Sequence, residues 1–212
     1  MIVTDRPILC AASVVQNIIS GRQTQDRRPL SHPLAKVKVG DLLYVRESWQ
    51  ALSFGDYLPT KSHICDLRYA ATDALADASK DVRGYPWRPS IHMPRWAIRL
   101  TLVVTEVRRQ RVRDINDDDA IAEGVVHSRK LFDSDEGDVL IDWYSVPASE
   151  DPGSGMGATD AFSALWDSLY GHKPGLPWAD NQEVCVFSFT AHRCNIDHFS
   201  DASKMGQEDA AE

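Results

Sequence analysis

The sequence is short of the features that mark whole classes of protein. Its 212 residues hold four cysteines, Cys10, Cys65, Cys185 and Cys194, and no C-x-x-C pair. So scattered a set argues against a disulfide framework, and reduced thiols are expected. Two H-x-C pairs, His63 with Cys65 and His192 with Cys194, match no zinc-module spacing, so no metal and no cofactor is expected. No apolar run approaches the ~20 residues that a spanning helix needs. The first residues carry no basic stretch leading into an apolar one, so no secretory leader is read there. A soluble, cytoplasmic protein without a membrane partner is the expectation. A G-x-S-x-G elbow for a serine nucleophile is missing, and so is any internal repeat.

Hydrophobic residues make up 43% of the chain, enough for an ordinary globular core. The net charge of −8 argues against a nucleic-acid partner until its distribution is considered. Acid gathers at Asp114 to Asp119, at Asp133 to Asp138 and from Asp201 to Glu212. Base is mostly arginine and gathers elsewhere: Arg22, Arg27 and Arg28; Arg83, Arg88, Arg95 and Arg99; Arg108, Arg109, Arg111 and Arg113. Arginine forks suit phosphates and stack on bases.

Apolar spacing from Ala11 to Ser20 predicts a short helix stopping at Gly21. The polar segment from Gly21 to Pro29 is expected to stay out of the core. Leu42 to Val45, Ile64 to Ala71, Ile98 to Val112 and Glu183 to Thr190 read as strands. Asn116 is an N-cap, with three aspartates in the first turn of a helix ending near Glu123-Gly124. Thr159 is expected to cap a further helix with Phe162, Leu165, Trp166 and Leu169 on one face. Residues 133–158 read as a flexible insertion whose centre, Val139 to Val146, adds a short strand. Residues 199–212 read as a disordered acidic tail. Short strands among a few short helices predict an α+β fold, a partly open β-barrel with helices at its ends.

Five segments, in order, resemble the ASCH domains, relatives of the PUA fold, and among them the prophage-type members. Gly21-Arg22-Gln23-Thr24-Gln25-Asp26-Arg27-Arg28 is similar to the family's G-R-K-T-x-T-R-R loop. Gly40-Asp41-Leu42-Leu43-Tyr44-Val45-Arg46-Glu47-Ser48-Trp49 resembles its G-D-x-L-W-V-R-E-x-W strand. Trp87 to Ala97, Ala120-Ile121-Ala122-Glu123-Gly124 and Phe162 to Leu169 with Trp178 complete the set. The resemblance spans roughly residues 8 to 190. It implies one PUA-like domain over residues 1–198.

The resemblance also implies a cleft between the first loop and the A-x-x-E-G helix, holding RNA, single-stranded nucleic acid or a modified pyrimidine nucleoside. Some members hydrolyse N4-acetylcytidine with a lysine and a threonine of the loop and the glutamate of the helix; others are linked to RNA cleavage. Here the glutamate is Glu123, but Gln23 stands for the lysine and Asp26 for the threonine. Gln23 cannot carry a proton. Asp26 and Glu123 are therefore the carboxylates a hydrolase would use, as a pair sharing a proton. Binding without the amidase chemistry is the simpler expectation.

The ligand-contact candidates are Arg22, Thr24, Arg27, Arg28, Arg46, Trp49, His92, Arg95 and Trp96. Arg27 and Arg28 read either as phosphate ligands or as surface arginines bonded to Glu47 or Asp41. Trp49 and Trp96 read as packing or as stacking platforms, and His92 as a structural hydrogen-bonder or an acid–base group. A third reading is a protein-interaction module of prophage origin, acting through the acidic loop and tail.

Overall fold

The computed structural model describes residues 4–132, 139–146 and 157–199. In chain order the elements are β1 (Asp5–Leu9), α1 (Ala12–Ile19), β2 (Gln25–Pro29), β3 (Leu42–Arg46), β4 (Trp49–Leu52), β5 (Asp66–Tyr69), α2 (Lys80–Arg83), β6 (Thr101–Arg111), α3 (Asp117–Ala122), β7 (Val126–Phe132), β8 (Val139–Ser145), α4 (Ala158–Tyr170) and β9 (Glu183–His192). This is an α+β fold with its strands in mixed sheets. No closed barrel is found among the described residues. None of their helices is long and apolar enough to cross a membrane.

The chain divides into two compact units. The first takes the residues up to Ile19, Gly40–Val104 and those from Thr190 on; the second takes Ser20–Val39 and Thr105–Phe189. β6 and β9 run on from one unit into the other.

In the first unit β1 pairs parallel with β3, from Asp5 opposite Leu42 to Leu9 opposite Arg46. β3 pairs antiparallel with the start of β6, Leu42 facing Val103 and Tyr44 facing Thr101. Leu42, Leu43 and Val45 are buried, as a continuous apolar run requires. β4 and β5 form an antiparallel ribbon, Trp49 opposite Tyr69 and Leu52 opposite Asp66. Trp49, Ala51, Met93, Ala97 and Ile98 make a core cluster.

In the second unit β2 pairs antiparallel with β9, from Gln25 opposite Ser188 to Pro29 opposite Val184. This corrects the expectation that Gly21 to Pro29 stays out of the core. Gln23, Gln25 and Arg27 are buried, at alternate positions, because each polar head finds a partner inside. Asn116 caps α3 as expected, its Oδ1 accepting from the Asp119 amide at 2.8 Å. Thr159 does not cap α4: the N-cap is Gly157, and the Thr159 hydroxyl donates to Asp117 Oδ1 at 2.8 Å. Phe162 and Trp166 of α4 are buried with Ile115, Val112, Val184 and Val186, whereas Leu169 points outward, 50% exposed. β7 and β8 pair antiparallel, Val126 opposite Ser145 and Phe132 opposite Val139. The rest of the expected insertion, except the start of α4, and the tail beyond Phe199 lie outside the described residues.

Candidate functional site

The second unit builds a polar site around Glu123. Three aspartates and the Asn116 cap start α3, and the helix stops after six residues. Glu123 is its C-cap, and Gly124 follows at φ +97°. That left-handed backbone is ready for glycine alone, and it lets the Gly124 amide return to Ile121 O (2.9 Å) and the Val125 amide to Ala120 O (3.1 Å). The closure fixes Glu123 against the strand rather than in solvent. Gln23 and Glu123 form an antiparallel bridge, and the Thr24 amide donates to Ala122 O at 2.9 Å. The Gln23 position and the helix glutamate are thus brought together.

Strand alternation decides what reaches Glu123. Gln25 and Arg27 point inward. Gln25 Nε2 donates to Glu123 Oε1 at 3.1 Å, and Arg27 Nε donates to the same oxygen. Among the described residues no hydrogen bond goes to Glu123 Oε2. Arg27 Nη1 donates to Val112 O at 3.4 Å, and its guanidinium lies 5.1 Å from the Phe162 ring centroid. Arg27 Nη2 is 3.7 Å from Asp119 Oδ2, too far for a hydrogen bond, and among the described residues it is buried without one. Arg108 ties the rim together, its Nη2 donating to Gln25 Oε1 at 2.9 Å and to Asp119 Oδ1 at 2.7 Å.

Burial pushes the Glu123 carboxyl up from its ordinary value to about 7. Arg27 pulls down against this, Asp26 pushes up, and the hydrogen bonds from Arg27 and Gln25 pull down. Asp26 acts from the other face of β2, where Arg28 Nε and Nη2 hold its Oδ2 at 3.0 and 2.7 Å. No hydrogen bond joins Asp26 to Glu123 among the described residues.

The reading of Arg27 as a surface arginine bonded to Glu47 or Asp41 is corrected. Its side chain is 1% exposed, and Glu123 and Asp119 are its partners, not Glu47 or Asp41. Arg28 is part-exposed and bonds to Asp26 and Tyr170. Arg22 and Thr24 are exposed in the same unit.

The remaining candidates belong to the first unit. Arg46 Nη2 donates to Ile91 O, His92 is exposed in a 3-10 turn, and Arg95 bonds to Asp5 and Asp197 at 2.6 and 2.7 Å. Trp49 is 2% exposed and meets Trp96 edge-on at 5.9 Å; it is core, not an open platform. His63 stacks on Trp96 at 4.6 Å.

Gln25, Arg108 and Asp119 escaped the sequence reading. The signal for Gln25 was its even spacing from Gln23 and Arg27, a strand pattern written in polar residues. Asp119 read as a first-turn acid only, and Arg108 as a solvated strand arginine.

No family model matches the chain, no curated protein matches it, and no solved structure matches it.

Proposed function

We propose that the protein is a PUA-like domain of the ASCH kind, a partly open barrel that binds RNA or a modified pyrimidine nucleoside at Glu123. The observation that carries this is the state of the Glu123 carboxyl. Gln25 and Arg27 hold one oxygen, and the other has no donor among the described residues. A fixed carboxyl with a spare oxygen is the group that accepts from the exocyclic amine of cytosine, and amide side chains read base edges in the same way. The order of the matching segments supports the family, and the Gln23–Glu123 bridge supports the cleft that the family implies. Gln23 in place of lysine favours binding over turnover, because an amide moves no proton. Four cysteines outside any disulfide suit a cytoplasmic setting.

Calorimetric titration with cytidine, N4-acetylcytidine and a single-stranded RNA tests this. Binding that Glu123→Gln weakens about tenfold is expected, the weight of a hydrogen bond to a charged group. Glu123→Gln binding as tightly as wild type removes the assignment.

One observation favours hydrolysis as a second reading: a carboxyl at about 7 is poised as a general acid or base. That role falls to Glu123 by itself, since Arg28 holds Asp26 on the other face of β2. Acetate release from N4-acetylcytidine that Glu123→Gln lowers roughly 100-fold would establish it.

A further inference from the structure

In the first unit Trp96 is held as a firm floor. It sits in the 3-10 turn Arg95–Ala97, entered through Pro94, and the Ala97 amide donates back to Pro94 O at 3.1 Å. Asn195 fastens the turn from outside, its Nδ2 reaching Arg95 O at 2.9 Å, Trp96 O at 3.3 Å and Ile98 O at 2.9 Å. The indole packs against the core cluster of the unit and meets buried Trp49 at right angles, 5.9 Å between centroids. It is nevertheless part-exposed, and what lies on it is the exposed His63 ring, stacked at 4.6 Å and 28°.

The cover is tied down far less than the floor. The imidazole makes no hydrogen bond among the described residues. The side-chain bonds on either side of it are local and exposed, from the Ser62 amide to Thr60 Oγ1 and from the Ile64 amide to Ser62 Oγ, both at 3.1 Å. Ile64 itself is 80% exposed, so little burial anchors the segment. Two rings stacked this closely leave no space between them, and a planar ligand gains the Trp96 face only by displacing His63.

Arg88 brings charge to the same cluster. Two backbone bonds of 3.1 and 2.8 Å lock it to Trp49, and its guanidinium lies over the Trp49 ring at 5.3 Å. Among the described residues no acid and no acceptor meets that guanidinium, so its donor fork is unspent. Trp49 Nε1 is likewise buried with no hydrogen-bond partner among them. An aromatic floor with an unspent guanidinium one ring away suits a planar heterocycle that carries an anion, the chemistry of a nucleotide.

We propose that Trp96 is a stacking floor for a nucleobase whose phosphate is taken by Arg88, and that His63 covers the floor until the base displaces it. The site belongs to the first unit and does not rest on the reading of Glu123. Stacking is tolerant of sequence, so an adenine serves as well as a pyrimidine.

The experiment follows the His63 ring resonances of the whole protein, which the indole shifts while the rings are stacked. The probes are adenosine 5′-monophosphate and a short single-stranded oligoadenylate, with affinities from calorimetry. Both probes should release the His63 resonances from the shift. His63→Ala, at an exposed position, should bind them roughly three- to tenfold more tightly, because the competing ring is gone. Trp96→Leu, which keeps the apolar packing without the indole face, should weaken binding about tenfold or more. Arg88→Gln should weaken binding and lower its salt dependence by about one phosphate contact. Glu123→Gln should leave all of this unchanged, so cytidine binding lost in that variant with the oligoadenylate response retained separates the two sites. His63 resonances unmoved by both probes overturn the proposal, and so does His63→Ala binding no more tightly than wild type, or Trp96→Leu binding as well. The mononucleotide binding as tightly as the oligonucleotide keeps the site and makes a free nucleotide its ligand.

Discussion

Each unit buries a glutamate against an arginine, and the two pairs are built differently. In the first unit Glu47, 1% exposed, takes Arg99 Nε on one oxygen at 2.8 Å and Arg99 Nη2 on the other at 2.9 Å. The Arg99 guanidinium lies 3.9 Å from the Tyr69 ring centroid, and its Nη1 donates to the Thr72 hydroxyl at 2.9 Å. Fork meets fork, and each member satisfies the other. In the second unit Arg27 divides its hydrogen bonds between Glu123 and Val112 O, its Nη2 has no hydrogen-bond partner among the described residues, and both donors to Glu123 crowd onto one oxygen. A closed pair has nothing left to offer a ligand. An open one keeps an oxygen in reserve, and that difference is why the proposed site is Glu123 rather than Glu47.

The largest effect should come from the closed pair. Removing Arg99 strands Glu47 in the core, and breaking such a pair costs about 3–5 kcal/mol. Arg99→Leu should therefore shift the urea midpoint far more than Arg27→Leu below pH 7, where Glu123 takes up a proton instead of standing as a bare charge. Equal losses for the two variants at pH 6 would erase the contrast.

The next effect is a pH dependence that Glu123 supplies. The Glu123 carboxyl holds its proton up to about pH 7 in the folded chain, but up to only about 4.5 when unfolded. Between those values the folded state binds the extra proton, so its contribution to stability is complete below the lower value and is lost as pH rises through the upper. At roughly 1.4 kcal/mol per pH unit the loss approaches about 3 kcal/mol. Glu123→Gln should remove this component and be the more stable protein at pH 8. Denaturation curves at pH 5, 6.5 and 8 read it directly; an unchanged pH profile in the variant would place the proton elsewhere.

The contrast between the pairs also explains what the sequence disclosed. The apolar strands were legible from Leu42 to Val45 and along β6 and β9, because burial writes itself in hydrophobic residues. The Asn116 cap and the stop at Glu123-Gly124 were legible because the local chemistry demands those residues. β2 was not, since its inward positions are Gln25 and Arg27, and a strand buried through hydrogen bonds carries no hydrophobic period. Asp26 and Glu123 looked like a pair in sequence; only the alternation of β2 sends Asp26 to Arg28 and leaves Glu123 to Arg27. Thr159 has the residue type of an N-cap but is taken by Asp117, a partner 42 residues away that no local rule can supply.

The smallest effect concerns how firmly each unit holds its helix. Asn116 caps α3 with a 2.8 Å bond, and the cap stands one short helix away from Glu123. Ser79 caps α2 in the first unit at 3.3 Å, on a four-residue turn with no buried residue. A lost N-cap costs about 1 kcal/mol where the helix is integral to the core, and less where the turn is free to fray. Asn116→Ala should therefore lower stability by about 1 kcal/mol, and Ser79→Ala by clearly less. Because α3 sets the position of Glu123, Asn116→Ala should also weaken any ligand that reads the carboxyl, and Asn116→Asp should preserve it. Should Asn116→Ala destabilise the protein while cytidine binding stays as in wild type, α3 would be a structural support whose cap has no influence on the Glu123 site.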